Sequence, residues 1–185
     1  STLEAHTEGE PLRVIFAGLP DPESGDGSVP SRRLVAIRDL EIQRRALMWE
    51  PRGHADMYGA LLLPPERPDS AAAVLFLHNE GWSTMCGHGI LALGRVLVET
   101  GLVEASAPET RFTLDTPAGP VHVVSRVARD GRVGAVRFVN VASWVQALDR
   151  EVSVPDWGTV RFDLAYGGAF YAFVDAPSLG LELRP

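Results

Sequence analysis

The order of apolar and polar positions along the chain predicts many short strands and few helices. Apolar runs bounded by turn residues predict strands at Leu12–Ala17, Tyr58–Leu63 and Ala72–His78. The polar segment Gly18–Ser31 has no periodicity and is predicted to be a loop. Beyond Gly101 the pattern predicts only strands and turns, with strands at Arg111–Asp115, Val121–Val127, Val133–Val139, Thr159–Ala165 and Ala169–Asp175.

Two segments have the spacing of helices. In Arg32–Trp49 the apolar residues recur every three or four positions, which predicts an amphipathic helix with Leu34, Ile37, Leu40 and Leu47 on its apolar face. Ser83–Thr100 is predicted to be the second helix, capped by Ser83 or Thr84 and ended by Gly101. One helix wrapped by antiparallel strands predicts the α+β class.

Composition and charge exclude several classes of function. The chain has 185 residues, with a net charge of -7 from 17 basic and 24 acidic side chains, which argues against binding a nucleic-acid backbone. A single cysteine cannot form an internal disulfide, so a secreted disulfide scaffold is not expected. No apolar run approaches the roughly 20 residues that a membrane span needs, and the N-terminus does not resemble a signal peptide. We therefore expect a cytoplasmic protein with no membrane partner.

The most informative segment runs from His78 to Gly94, and it contains the one cysteine. Cys86 falls in the first turn of the predicted helix, where free N–H groups and the helix dipole favour negative charge. This position predicts a lowered thiol pKa and an available thiolate, beside the bare backbone of Gly87 and Gly89. The arrangement suits a thiolate that takes a proton or attacks carbon next to a bound anion. The alternative is that Cys86 is a small buried apolar side chain.

His88 leaves three interpretations open: a base that partners the cysteine, a donor to a ligand, or a polar cap of the helix. His78-Asn79-Glu80 superficially matches the H-x-E of zinc deaminases, but those enzymes need a following P-C-x-x-C. With one cysteine and no paired-ligand spacing, we expect no metal site. We also expect no nucleotide or other cofactor, because the sequence contains no phosphate-binding glycine motif.

Three further clusters could line a pocket or only hold a turn. The first, Glu50–Gly59, contains Arg52, His54 and Asp56 between the predicted helix and an apolar strand. The second, His6–Pro11, contains Glu10 and precedes the first predicted strand. The third, Tyr166–Tyr171, places two glycines between two strands, which suggests a bulge or a close backbone approach. Roles for Glu10, His54 and Asp56 cannot be chosen from the sequence.

Taken together, four segments are more specific than any one alone. They are HTEGEP at His6–Pro11, EPRGHADMYGA at Glu50–Ala60, MCGHG at Met85–Gly89 and AYGGAFYAFV at Ala165–Val174. In this order they resemble the proline racemase family, which includes hydroxyproline 2-epimerases and trans-3-hydroxy-L-proline dehydratases. The resemblance covers Glu4 to about Leu183. It implies the fold of diaminopimelate epimerase, in which each half curls a mostly antiparallel sheet around a central helix and the active site lies between the halves.

The resemblance also implies roles for the residues at the predicted helix start. Cys86 corresponds to the first catalytic thiolate, and Gly87 and His88 correspond to substrate-contacting residues. Residues 1–185 then form the N-terminal part of a two-half enzyme, whose second catalytic position lies beyond Pro185. A homodimer is possible from the habit of the family.

The residues that make up the motifs favour one branch of the family. The segments FLHNEGWSTMCGHGILALGR and AYGGAFYAFV resemble the trans-3-hydroxy-L-proline dehydratases most. We therefore predict cofactor-independent dehydration of trans-3-hydroxy-L-proline to Δ1-pyrroline-2-carboxylate, a hydro-lyase reaction that begins with Cα proton abstraction by Cys86. The alternatives are a proline racemase or 4-hydroxyproline 2-epimerase, a non-catalytic homologue that binds a small anion, and a cysteine hydrolase.

Overall fold

The computed structural model describes residues 1–184, which form two compact units. The first unit, Ser1–Asn140, contains eight strands and three helices. Its strands are β1 (Thr2–Thr7), β2 (Glu10–Ile15), β3 (Tyr58–Leu63), β4 (Ala72–His78), β5 (Gly81–Ser83), β6 (Glu109–Thr116), β7 (Gly119–Val127) and β8 (Val133–Val139). Its helices are α1 (Val29–Asp39), α2 (Glu41–Met48) and α3 (Gly87–Glu99).

The strands of the first unit form one sheet in the order β1-β2-β3-β4-β6-β7-β8, with β5 paired to the end of β4. Neighbours are antiparallel except for the pairs β2–β3 and β4–β6. Helix α3 contacts strands from both ends of this order, β1 and β2 as well as β7 and β8, so the sheet curls around it. The predicted class, α+β with a curled, mostly antiparallel sheet around a central helix, is confirmed.

Helix α3 is buried because its sequence is apolar nearly all round. Eight of its residues are buried, among them Ile90, Leu93 and Leu97. Gly94 lets the helix approach the sheet closely, because a Cβ there would overlap the Val136 side chain and lie 3.0 Å from Cγ1 of Val123. A helix that is apolar on all sides belongs inside a core, and its N-terminus is therefore held in a fixed place.

The prediction of a single helix over Arg32–Trp49 is wrong in two respects. The helix is broken at Leu40, which ends α1 and precedes α2. The buried face is only partly the predicted one: Leu40 is buried and Leu47 packs against the core, whereas Leu34 is 64% exposed and Arg32 and Arg44 are buried instead. Both guanidinium groups donate to backbone carbonyls, Arg32 to Pro64 and Arg44 to His78, which compensates them for the loss of water.

The second unit begins at Val141 and is built on a separate three-stranded sheet. Its strands are β9 (Trp144–Val154), β10 (Gly158–Tyr166) and β11 (Phe170–Phe173), in the order β11-β10-β9 and antiparallel throughout. A short 3₁₀ turn follows at Pro177–Leu179. Across the 184 described residues, no helix combines the length and apolar character that crossing a membrane would require.

Candidate active site

Cys86 forms the N-cap of α3. Its backbone is extended, with φ -147° and ψ 111°, and its Sγ accepts a hydrogen bond of 3.4 Å from the N–H of Gly89. The thiol thus fills the place that a serine or aspartate oxygen usually takes. The predicted cap at Ser83 or Thr84 is wrong, because the chain stays extended through β5, where Ser83 pairs with Phe76 of β4.

His88 faces the cysteine from the first turn of α3. Its Nδ1 lies 3.3 Å from Sγ of Cys86, and its Nε2 lies 3.3 Å from the carbonyl oxygen of Pro11. A carbonyl only accepts hydrogen bonds, so Nε2 carries a proton in this contact, and in the tautomer with a single proton Nδ1 is the acceptor that faces the thiol. The Thr7 hydroxyl donates to the His88 carbonyl at 3.0 Å, which fixes this turn against β1. The geometry allows His88 to act as a base partner for the thiol.

The protonation of Cys86 does not follow the prediction from its helix position. Burial raises the pKa of the thiol from 9.0 to about 11, although the N–H of Gly89, the Tyr58 hydroxyl and the N–H of His88 all favour the thiolate. The negative charge of Glu10 adds to the increase. The predicted lowering of the pKa is therefore wrong, because only 6% of the residue is exposed and the lost hydration outweighs the donors.

Tyr58 belongs to the site and was missed by the sequence analysis. Its ring stacks on His78 with centroids 5.4 Å apart and meets the His88 ring edge-on at 5.0 Å. Its hydroxyl donates to Oγ of Ser83 at 2.7 Å and hydrogen-bonds Cys86. In the sequence it lies inside the cluster Glu50–Gly59, whose role was left open, and it opens the otherwise aliphatic strand YGALLL.

A cavity of about 400 Å³ borders this tyrosine and brings together residues from the uncertain clusters. Glu10 and Asp56 line it with Tyr58, His78 and Glu80. Burial lowers the pKa of His78, and the positive charge of Arg44 adds to that effect. His54 is not among the lining residues; its carbonyl instead accepts a hydrogen bond of 2.9 Å from the Asn79 side chain.

The other predicted features fall in different places. Gly87 is the first residue of α3, and the nearest atom to a Cβ built there is Cζ of Phe138, at 3.6 Å. The glycines of Tyr166–Tyr171 turn the chain between β10 and β11, where the N–H of Gly167 donates to Ala169. Among residues 1–184, no three His, Cys, Asp or Glu side chains are grouped so that they could hold a metal ion.

The chain matches one known protein family over nearly its whole length. The family described as Proline racemase matches residues 2–185. The chain belongs to the proline racemase family. Two solved structures that resemble it have a TM-score of 0.89: a probable proline racemase from Agrobacterium radiobacter K84 with bound carbonate, and a hydroxyproline epimerase from Agrobacterium vitis with bound trans-4-hydroxy-L-proline. Their identities are 38% and 36%, covering 98% and 100% of this chain and 53% and 54% of theirs.

Curated members of the proline racemase family are more similar in sequence. The chain is 50% identical to the trans-3-hydroxy-L-proline dehydratase of Homo sapiens and 48% identical to the trans-L-3-hydroxyproline dehydratase of Xenopus tropicalis. Each match covers 99% of this chain and 52% of the relative. The chain therefore spans about half the length of the curated relatives it matches. A predicted epimerase from Pseudomonas aeruginosa, at 16% identity and a TM-score of 0.50, shares the fold alone.

Proposed function

We propose that this chain is the N-terminal part of a trans-3-hydroxy-L-proline dehydratase in which Cys86 abstracts the Cα proton. The observation that carries the proposal is the thiol–imidazole pair at the start of a buried helix, with Sγ and Nδ1 3.3 Å apart. The activity for which the curated relatives are named, at 48–50% identity over this chain, supports the choice of substrate.

The thiolate arises by proton transfer within this pair. A buried thiol with a pKa of about 11 is almost wholly protonated near neutral pH, so Cys86 needs a local acceptor. Nδ1 of His88 takes the proton, and the resulting imidazolium stays bonded through Nε2 to the Pro11 carbonyl. The thiolate and imidazolium then form an ion pair in a site with little water, where their attraction is strong.

The chemical steps follow from the weak acidity of the substrate. The Cα–H bond breaks, an S–H bond forms on Cys86, and the carboxylate takes up the charge as an enediolate. Oriented N–H donors at the start of α3, including that of Gly87, stabilise the developing anion. The C3–O bond then breaks as the hydroxyl takes the proton of the His88 imidazolium and leaves as water, which restores the starting thiol–imidazole pair. The enamine that remains tautomerises to Δ1-pyrroline-2-carboxylate.

The second candidate is a racemase or epimerase, favoured by the two solved structures with TM-scores of 0.89. It uses the same first base, but a second group on the opposite face of the substrate returns a proton with inversion. In both cases, residues 1–185 supply one side of the active site and a second half supplies the other. The hydroxyproline ring is then recognised partly by that second half.

Three substrates distinguish these candidates. The full-length protein is incubated separately with trans-3-hydroxy-L-proline, trans-4-hydroxy-L-proline and L-proline. We expect pyrroline-2-carboxylate from the first and no change in optical rotation with the other two. Inversion of either of the latter indicates the epimerase or racemase, whereas no turnover of any indicates a binding homologue.

Cys86→Ser tests the base itself. In deuterium oxide the variant should lose exchange of the substrate Cα hydrogen by at least about 10²-fold, because a serine hydroxyl is a far weaker acid–base group at this position. Circular dichroism should show the fold retained. Exchange close to that of the unmodified protein would remove Cys86 from its role.

A further inference from the structure

Tyr58 connects several parts of the site. It stands at the start of β3, and its ring touches His78 of β4 and His88 of α3. Its hydroxyl reaches Ser83 at the end of β5 and the sulfur of Cys86, the N-cap of α3. Four structural elements therefore fix the position of one phenol oxygen beside the reacting sulfur.

The hydrogen bonds around Ser83 have a defined direction. Oγ of Ser83 donates to the carbonyl of Met85 at 3.2 Å, so its single proton is used there. The same oxygen can then only accept from Tyr58, at 2.7 Å. The Tyr58 hydroxyl also has one proton, and the serine oxygen and the sulfur, when Cys86 is ionised, compete for it.

We propose that Tyr58 is a positioning residue for Cys86, whose hydroxyl proton is held by Ser83 while the cysteine is a thiol and turns to the sulfur when it becomes a thiolate. The phenol O–H bond does not break; the hydrogen only rotates about the C–O bond. A hydrogen bond to a charged acceptor is about twice as strong as a neutral one, so ionisation of Cys86 decides the competition.

In the proposed reaction the rotation reverses once per turnover. The substrate Cα–H bond breaks as the S–H bond forms, the sulfur loses its charge, and the Tyr58 hydrogen returns to Ser83. Tyr58 therefore stabilises the thiolate, and Ser83 weakens that effect because it competes for the Tyr58 proton. The catalytic part of this inference rests on the proposed function, but the competition between the two acceptors does not.

Other groups that face the sulfur act alongside this competition. Nδ1 of His88 lies 3.3 Å from the sulfur, and Glu10 of β2 contributes negative charge. His78 stacks on the Tyr58 ring. All three are retained when only a hydroxyl is removed. Tyr58→Phe also keeps the ring contacts, and Ser83→Ala removes only the hydroxyl group of Ser83.

The test uses the full-length protein and measures the rate at which iodoacetamide alkylates Cys86, followed by peptide mass mapping between pH 7 and 11. We expect Tyr58→Phe to slow alkylation about tenfold at a pH below the midpoint and to move the midpoint upward. Ser83→Ala should do the opposite, because the Tyr58 proton then loses the acceptor that competes with the sulfur. The double variant should behave like Tyr58→Phe. The exposed Tyr171→Phe and Ser143→Ala are the matched controls and should change nothing.

Opposite shifts from the two variants would support the competition, and shifts of the same sign, or none, would overturn it. If Tyr58→Phe does not fold, Ser83→Ala alone decides: a lowered midpoint supports the proposal and a raised one refutes it. Alkylation requires no turnover. Opposite shifts without activity on any substrate would therefore refute the proposed function alone, whereas activity with shifts of one sign would refute this inference alone.

Discussion

Two opposing influences act on the Cys86 thiol: its burial and the hydrogen-bond donors at the start of α3. Burial favours the neutral thiol, because a charged sulfur loses its hydration. The N–H of Gly89 and the hydroxyl of Tyr58 favour the thiolate but are weaker together than the burial. The folded protein therefore holds this proton to a higher pH than the unfolded chain does, and its stability depends on pH accordingly.

The first prediction concerns the free energy of unfolding at alkaline pH. Because the folded pKa of Cys86, about 11, lies above its reference value of 9.0, the stabilisation is complete below about pH 9 and is lost as the pH rises towards 11. The loss should be about 2–3 kcal/mol. Urea unfolding at intervals from pH 8 to 11 measures it, with Cys86→Ser as the reference.

All 17 basic side chains of the sequence are arginines, so no lysine titrates in this range, and the other titrating groups are common to the two proteins. The difference in the free energy of unfolding between the unmodified protein and Cys86→Ser should therefore narrow or reverse towards pH 11. Free energies of unfolding that change in parallel for the two proteins from pH 8 to 11 would mean that burial does not raise the pKa of the Cys86 thiol.

The second prediction concerns His88 as the acceptor of the thiol proton. His88→Gln should lower kcat for the proposed dehydration by about 10²–10⁴-fold, because glutamine can bond the Pro11 carbonyl but cannot take a proton. His122→Gln is the matched control, since that histidine is exposed and bonds only to the Thr113 hydroxyl among the contacts of residues 1–184. Equal activity of the two variants would mean that His88 only caps the helix.

Among the elements, those bounded by clear turns were the most predictable. Tyr58–Leu63 and Ala72–His78 were predicted to the residue, because each is a continuous apolar run that lies inside the sheet. Strand β9 was missed, because its alternation is broken by charge and most of its residues are exposed. The α1–α2 region was misjudged for the opposite reason: Arg32 and Arg44 are buried through bonds to carbonyls that only the folded chain brings near.

The third prediction tests the close packing of α3 on the sheet. Gly94→Ala should destabilise the protein by about 1–2 kcal/mol, since the overlap with Val136 outweighs the better helix propensity of alanine. Gly134→Ala in β8 is the control, because the nearest atoms to its Cβ are 3.9 Å away. Thermal unfolding followed by circular dichroism measures both. A Gly94→Ala protein as stable as the control would show that the sheet can move aside.

The fourth prediction concerns the buried carboxylate that attaches the β3–β4 connection to β6. Asp115 accepts hydrogen bonds from the N–H of Glu66, the N–H of Arg67 and the hydroxyl of Ser70, and it pairs with the Arg67 guanidinium. Asp115→Ala should cost about 2–3 kcal/mol, because the buried Ser70 hydroxyl and two partly buried backbone N–H groups lose their acceptor.

The matched control is Asp130→Ala, which removes an exposed pair with Arg132 and should leave the urea midpoint unchanged. A urea midpoint for Asp115→Ala no lower than that of this control would contradict the prediction. It would mean that water replaces the carboxylate with no loss of free energy of unfolding.

At the scale of the molecule, the sequence located the catalytic candidates but not their surroundings. Cys86 and His88 are two residues apart, so one helix turn brings them together whatever the rest of the fold does. Tyr58 and Pro11 come from strands far away in sequence, and only the sheet order β2-β3-β4 places them beside that turn. Long-range pairing of this kind leaves no local pattern in the sequence.

The two compact units also differ in how much apolar surface they bury. Of the buried apolar residues among positions 1–184, only Val160 lies beyond Asn140. Large apolar side chains of the three-stranded sheet are exposed instead, among them Trp144, Phe170 and Phe173, which are 47%, 58% and 60% exposed. The first unit thus has a core of its own, whereas the second lacks the burial that independent stability requires.

The fifth prediction follows from that difference. A protein ending at Asn140 should unfold cooperatively, with a midpoint within a few degrees of that of the 185-residue chain, because it keeps all the other buried apolar residues. A peptide of residues 141–185 should show no cooperative transition, since three strands with exposed apolar faces cannot offset the entropy of ordering them. Circular dichroism during heating measures both. Loss of the transition in the shorter protein would show that unit 1 depends on the residues after Asn140 for its stability.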